Sequence, residues 1–371
     1  MPPYDPPLTY DPPAIEIIDQ AYVAPLSFIR PRHEDEPGVF DGGVYRSDRS
    51  ICTLGLQAMR GFRNVPVTIH DADDIAVVPG THLYGGLLQN DHFGHFLIES
   101  LGRLWAAPIV RDNLESIVYF PSRLGYSIPA FVHDTLRLLE VKADIRLVNT
   151  LTKFERLIVP NQLLIPSQTI ESHPVFIEFT GVLRDAPRTI DAPPTDKLYV
   201  SRSKLEHHLP HLMLENLIEE NLAREGYAII HPETLNISDQ LSYYNAATQL
   251  LFAEGSALHL YALVARPDQH VGIIKRRRTL RERLKWQIEA HGHSRVETID
   301  CIDRMFAHDG ERRTSHPLLT ILDFQRLGVE LRRTGFITDS EHWRVPAEAE
   351  VAATLAAHLA NFRVNYSEIP T

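Results

Sequence analysis

Residues 198–274 read LYVSRSKLEHHLPHLMLENLIEENLAREGYAIIHPETLNISDQLSYYNAATQLLFAEGSALHLYALVARPDQHVGII, and this stretch decides the fold. Short apolar and β-branched runs at 198–201, 227–230, 249–253 and 270–274 read as strands. Between them, 212–225, 238–247 and 257–265 are patterned as helices, with Gly226 as a C-terminal cap and Ser238 as an N-cap. The result is a βαβαβαβ run, the unit of a doubly wound α/β domain that binds ligands at its strand ends.

The same rhythm occupies the first half more loosely. Strands are expected at 75–78, 116–120, 145–148 and 156–159, with helices at 91–110 and 128–141, which gives a layered α/β domain with a largely parallel sheet. Pro187, Pro193 and Pro194 mark a linker at 186–197. The first 13 residues hold six prolines and a repeated Tyr-Asp-Pro-Pro, so 1–20 reads as an extended arm. The expected division is therefore arm 1–20, first Rossmann-like domain 21–185, linker 186–197, second Rossmann-like domain 198–315, and terminal helices 316–371 packing back on the first domain. A cleft between the carboxyl ends of the two sheets is the natural ligand site.

Composition narrows the functions. The chain has 371 residues, 44% hydrophobic and 23% charged, enough for a large core without staples. Lys plus Arg is 37 against 48 for Asp plus Glu, a net charge of −11, which argues against wrapping nucleic acid. Cys52 and Cys301 read as two free thiols of a reducing, cytoplasmic protein. No run of about 18 apolar residues predicts a membrane span, although peripheral contact with a membrane stays open. P-loop, G-x-S-x-G and G-x-G-x-x-G signatures are absent, which leaves a sugar nucleotide as an attractive ligand.

Four features carry chemistry. On a helix starting near Asn90, His92, His95, Glu99 and Arg103 fall within about 80° of one another at about 100° per residue. This stripe reads as a general base with an orienting carboxylate, as H-x-x-H-x-x-x-E metal ligands, or as a solvated face among the 19 histidines of the chain. Glu254-Gly255-Ser256, at a strand-to-helix turn, reads as an anion cradle with Glu254 toward ribose hydroxyls, or as an ordinary capped turn. Arg202 and Lys204, after another strand, can grip phosphate or stand in solvent. The run Lys275–Arg278 reads mainly as a solvated basic face whose first residues, following a strand, are candidates for the site.

Taken together, these motifs resemble glycosyltransferase family 61, in its bacterial capsular polysaccharide branch. His95, Phe96, Leu97, Glu99, Leu101, Arg103 and Leu104 stand in the family's N-x-x-H-[FW]-L-x-E-x-L-x-R-L helix. Ser201-Arg202, Glu215-Asn216, Gly226-Tyr227, Pro232–Leu235, Ser238–Gln240 and Glu254–His259 follow in family order; Glu254 replaces a His, and His259-Leu260 replace a Thr-Asn.

The resemblance implies a GT-B-like fold, two Rossmann-like domains facing across a cleft, and inverting, metal-independent transfer from a nucleotide sugar, with a UDP-sugar first among the candidates. No metal site or obligatory cofactor is expected. On this reading His95 is the base, Asp91 the second candidate, and Glu99 orients His95. Asn90, His92 and Arg103 bind acceptor, while Arg202, Lys204, Glu254, Gly255, Ser256 and His259 bind donor. The acceptor is a glycan, lipid-linked or free, met in the cytoplasm or at the inner membrane, and a homo-oligomer stays open. Two alternatives remain: a silent sugar- or nucleotide-binding scaffold of a polysaccharide assembly complex, and a metallohydrolase using His92, His95 and Glu99.

Overall fold

The computed structural model describes residues 12–29, 38–58, 62–69, 75–125, 127–166, 170–186, 195–206, 209–278, 282–308, 319–339, 341–361 and 366–369. Most of the proline arm, Asp71–Asp73, Arg281 and residues 187–194 of the linker lie outside them. The chain divides into two compact units, Met1–Leu183 and Arg184–Thr371. No helix among the described residues is long and apolar enough to cross a membrane.

The first unit is built on β1 (Ile15–Ile29), β2 (Gly38–Tyr45), β3 (Phe62–Val65), β4 (Val77–Leu88), β5 (Leu114–Pro121), β6 (Asp144–Leu147) and β7 (Thr152–Pro160), with a small hairpin of β8 (Leu164–Pro166) and β9 (Ile170–Ser172). The sheet order is β3-β2-β1-β7-β4-β5-β6. Strands β7, β4, β5 and β6 are parallel, as expected, but β1 runs antiparallel to both β2 and β7. The sheet is therefore mixed, and residues 15–20, expected in the arm, belong to it. From Ile15 the chain is already an interior strand, with Ile15 opposite Pro160 and Val23 opposite Thr152. Ala21, Val23, Val44, Tyr84, Val118, Phe120 and Phe154 meet in its core.

The expected helix 91–110 is not continuous. A single turn, α1 (Phe93–His95), passes into a π turn over Phe96–Ser100, a 3-10 turn at Leu104–Ala106 and α2 (Ala107–Val110). Gly94 and Gly102 lower the helical propensity, and Pro108 has no N–H to continue the ladder. At Gly102 the chain runs so close to β8 that a Cβ would meet Leu164 O at 2.8 Å. The unit is completed by α3 (Ala130–Leu138) and α4 (Pro174–Thr180).

This break corrects the reading of Arg103. Its side chain turns inward, 1% exposed, and donates to the carbonyls of Leu54 and Leu56 at 2.6 Å and to that of Pro160. The guanidinium also lies 5.0 Å from the Tyr84 ring centroid. Arg103 ties the first unit together and leaves the polar stripe.

The second unit follows its sequence closely. Strands β10 (Lys197–Val200), β12 (Ala228–Ile230), β13 (Gln249–Ala253), β14 (His270–Ile274) and β15 (Arg295–Ile299) form an all-parallel sheet, while β11 (His211–Leu212) pairs elsewhere. The order β12-β10-β13-β14-β15 is a doubly wound order, reversing between β10 and β13. The connecting helices are α5 (Glu215–Arg224), α6 (Ile237–Ala246), α7 (Ala257–Ala262) and α8 (Arg283–Gly292). Leu251 and Ala253 of β13 pack with Leu217 and Leu222 of α5, while Phe252 meets Tyr244 of α6 and Tyr261 of α7. Both faces are covered, which is why the strand is apolar from Leu250 to Ala253. Gly226 ends α5 at φ +87° as expected, but Asn236, not Ser238, caps α6 by accepting from Asp239 N.

Two expectations for the C-terminal part are corrected. Residues 319–322, assigned to a helix, form the buried strand β17 (Leu319–Leu322) between β11 and β16 (Ile302–His308), with β18 (Tyr366–Ile369) beyond. The helices α9 (Phe324–Arg333) and α10 (Glu348–Asn361) pack in the core of the second unit, with Leu327 and Leu331 beside Leu251 and with Leu355 beside Phe306 and Leu319. Cys52 and Cys301 are both free and buried.

Two tests follow from this packing. Replacing Arg103 by Leu strands three carbonyls and should cost about 3 kcal/mol, read as a lower urea midpoint; a loss under about 0.5 kcal/mol would refute the anchoring role. His291 is 2% exposed, and burial, helped by Arg184, pushes its pKa down to about 3. The unfolded imidazole takes a proton near its ordinary value of about 6.5. Between those values the unfolded state binds the extra proton, so stability should fall on acidification below about pH 6.5. His291→Gln should flatten that slope between pH 6 and 4; an unchanged slope would assign it to other groups.

Candidate active site

In the first unit the chemistry gathers at the carboxyl ends of β4 and β5. Asn90, 2% exposed, joins the two ends: its Oδ1 accepts from Ser122 Oγ at 2.9 Å and Arg123 N at 3.1 Å, and its Nδ2 donates to Arg123 O. Asp91 is engaged by Arg123 Nε at 2.6 Å. His92 accepts from His95 N through Nδ1, so it caps the turn, and its ring lies edge-on to His95 with centroids 4.6 Å apart. Desolvation and then the neighbouring His95 lower its pKa, which keeps it neutral.

His95 Nδ1 lies 2.6 Å from Glu99 Oε1, with the imidazole about half exposed and the carboxylate 7% exposed. A carboxylate in this place accepts the Nδ1 proton and leaves Nε2 as the basic atom. Asn90, His92, His95 and Glu99 are thus brought together, with Asp91 committed to Arg123 and Arg103 turned away. His95 and Glu99 are bonded to each other, and no group of three His, Cys, Asp or Glu side chains among the described residues could hold a metal ion. The metallohydrolase reading therefore gains nothing from the geometry.

In the second unit the topological reversal places the ends of β10 and β13 side by side, where doubly wound sheets bind ligands. Arg202 leaves β10 and Gly255 leaves β13, and they touch: a Cβ on Gly255 would stand 2.2 Å from Arg202 Nη1. A side chain at 255 would have to displace the guanidinium. Arg202 is fixed by its own N–H to Glu215 Oε1 at 2.8 Å and by Nη2 to Pro210 O at 3.0 Å. Burial lowers its pKa, and its Nε has no partner.

Glu254, 1% exposed, does not present a free carboxylate to a ribose. Oε1 receives Arg277 at 2.8 Å from Nε and 2.7 Å from Nη2, and Oε2 receives the backbone N–H groups of Arg276 and Arg277 at 2.8 and 3.2 Å. Its function is to fold the segment after β14 back onto β13. Arg276 is consequently 5% exposed, and burial, followed by the charges of Arg277 and Arg202, brings its pKa down to about 9. The basic run is no solvated face at its start.

The remaining expectations divide. Lys204 is exposed in the same loop as Arg202. Ser256 precedes α7 without a side-chain cap, and His259 Nδ1 is 2.7 Å from Gln287 Oε1 of α8. Sequence reasoning quoted Glu215 as a motif residue but gave it no role; it is buried, its Oε1 also accepts from Tyr199 OH at 2.9 Å, and its pKa is raised by burial. It missed the Glu219 network at the ends of β10 and β12. Burial works against the charge of Glu219, yet Ser201, Ser203 and His231 together hold its pKa below the usual value. The clue available was position: each of these groups lies on the strand ends or on the helix that follows them.

No curated protein matches the sequence. A family model described as Glycosyltransferase 61 matches residues 93–272, from the histidine turn into β14. That span contains His95, Glu99, Arg202 and Gly255, and over it the chain is similar to the glycosyltransferase 61 family.

Proposed function

We propose that the protein is an inverting, metal-independent glycosyltransferase of GT-B organisation. On this reading the second unit holds a nucleotide-sugar donor, a UDP-sugar in the first instance, and the first unit binds a glycan acceptor of a bacterial surface polysaccharide in the cytoplasm. One observation carries it: Arg202, Arg276 and Arg277 gather beside Gly255 at the reversal of a doubly wound sheet. Guanidinium groups fixed in a desolvated place suit a diphosphate, and an anion would offset both the burial and the neighbouring charges that lower the pKa of Arg276.

The chemistry follows from charge. His95 Nε2 takes the proton of an acceptor hydroxyl as that oxygen attacks the anomeric carbon from the face opposite the leaving group. The bond from the anomeric carbon to the phosphate oxygen breaks, and its electron pair stays on the nucleoside diphosphate. The arginines stabilise that growing negative charge, and because they are held in advance they need no reorganisation. Glu99 keeps the imidazole oriented and stabilises its charged form.

A thermal-shift series with UDP, GDP, CMP and dTDP nucleotides and their sugars tests the donor half, since a ligand of the folded state raises the melting temperature. Arg202→Ala should abolish the selective shift. Gly255→Ala pushes the guanidinium aside and should weaken binding roughly tenfold while leaving the melting temperature of the free protein nearly unchanged. No shift with any nucleotide would sink the donor assignment. For the acceptor half, His95→Ala should lower kcat by about 10²- to 10⁴-fold with nucleotide binding intact. Nucleotide binding in a wild-type protein that transfers no sugar would instead identify a binding scaffold.

A further inference from the structure

We propose that Gln89 is a positioning residue for His95, acting through Glu99: its amide engages the second carboxylate oxygen and so fixes the His95 proton on Nδ1, leaving Nε2 as the base. The inference rests on the reading of His95 as the base of the transfer.

Gln89 is the first residue beyond β4 and grips two consecutive residues of the π turn. Its backbone N–H donates to Ser100 Oγ at 2.9 Å, and its side-chain Nε2 donates to Glu99 Oε2. Glu99 Oε1 is the atom 2.6 Å from His95 Nδ1. With Gln89 donating to Oε2, the short Oε1–Nδ1 contact is best satisfied when Glu99 is a carboxylate accepting at both oxygens, with the His95 hydrogen on Nδ1.

The surroundings leave this work to Gln89. Asp91 is committed to Arg123 at 2.6 Å, and His92 uses its Nδ1 to accept the His95 backbone N–H. Neither competes for His95 Nδ1. Glu99 is 7% exposed, so water offers little replacement if the amide is lost. A buried carboxyl short of one donor can turn or take up a proton, and either event frees Nδ1 to exchange its role with Nε2. The π turn matters because it brings Glu99 and Ser100 together under the tip of β4, and such turns are common at functional sites.

The test uses full-length protein with 15N-labelled imidazoles and long-range 1H–15N correlation at neutral pH. Wild-type His95 should be the Nδ1–H tautomer. Gln89→Leu and Gln89→Met, the second of similar length but without the N–H, should both show a mixture. Both should lose about tenfold in kcat with the donor KM unchanged. Wild-type His95 in the Nε2–H form overturns the proposal outright, whether or not the variants fold. So does a folded Gln89→Met protein that keeps the wild-type tautomer and kcat. An inactive wild-type enzyme overturns the transferase reading instead, while the tautomer shift in the same samples still decides the role of Gln89.

Discussion

Three guanidinium groups stand at the ends of β10 and β14, and they can do so only because Glu254 and Glu215 lie beneath them. In a poorly solvated place, like charges at contact repel by several kcal/mol, about 4 at an effective dielectric of 20 and a separation near 4 Å. Glu254 answers with both oxygens, taking the Arg277 side chain on one and two backbone N–H groups on the other. Glu215 holds the N–H of Arg202. The segment after β14 is thereby folded over β13, and Arg202 fills the space that a Cβ at Gly255 would take. Removing one carboxylate would leave buried cations without a counter-charge, which costs far more than the net worth of an intact pair.

How much of this was legible in the sequence depended on how local the cause was. Strands β13 and β14 were readable to the residue because both of their faces are covered, so apolar runs stand between clear turn signals. Strand β1 was not readable, since it begins two residues after Pro13, and its exposed and buried positions alternate only partly. The helix 91–110 failed for a more instructive reason. The wheel that gathered His92, His95, Glu99 and Arg103 assumed one unbroken helix, whereas Gly94, Gly102 and Pro108 divide it. Within one turn the reading survived, as His95 and Glu99 do meet. Past the π turn the phase is lost, and Arg103 goes to the core.

The candidate site shows the same division. Arg202 and Gly255 were visible as turns after strands, because position at a carboxyl end is a local property. The engagement of Glu254 was not, for its partners lie 22 and 23 residues away and reach it only through the parallel pairing of β13 with β14. Gln89 escaped for a related reason. Nothing in a lone glutamine after a strand announces a carboxylate ten residues on, until the π turn brings that carboxylate back.

The two strand-end clusters differ in burial in a way their chemistry explains. Charge that stabilises a leaving group works best when already in place and shielded from water, since nothing then reorganises during the reaction. Arg276 at 5% exposure and Glu254 at 1% satisfy that demand. A base must instead reach an acceptor hydroxyl and later return its proton to solvent. His95 is accordingly about half exposed, while the carboxylate that orients it is withdrawn to 7%. On the proposed reading, the exposed member moves the proton and the buried member holds the geometry. Buried carboxylates therefore serve both clusters in the same way: they commit their oxygens to fixing a neighbouring cation or imidazole, and on the proposed reading that neighbour makes the contact with substrate.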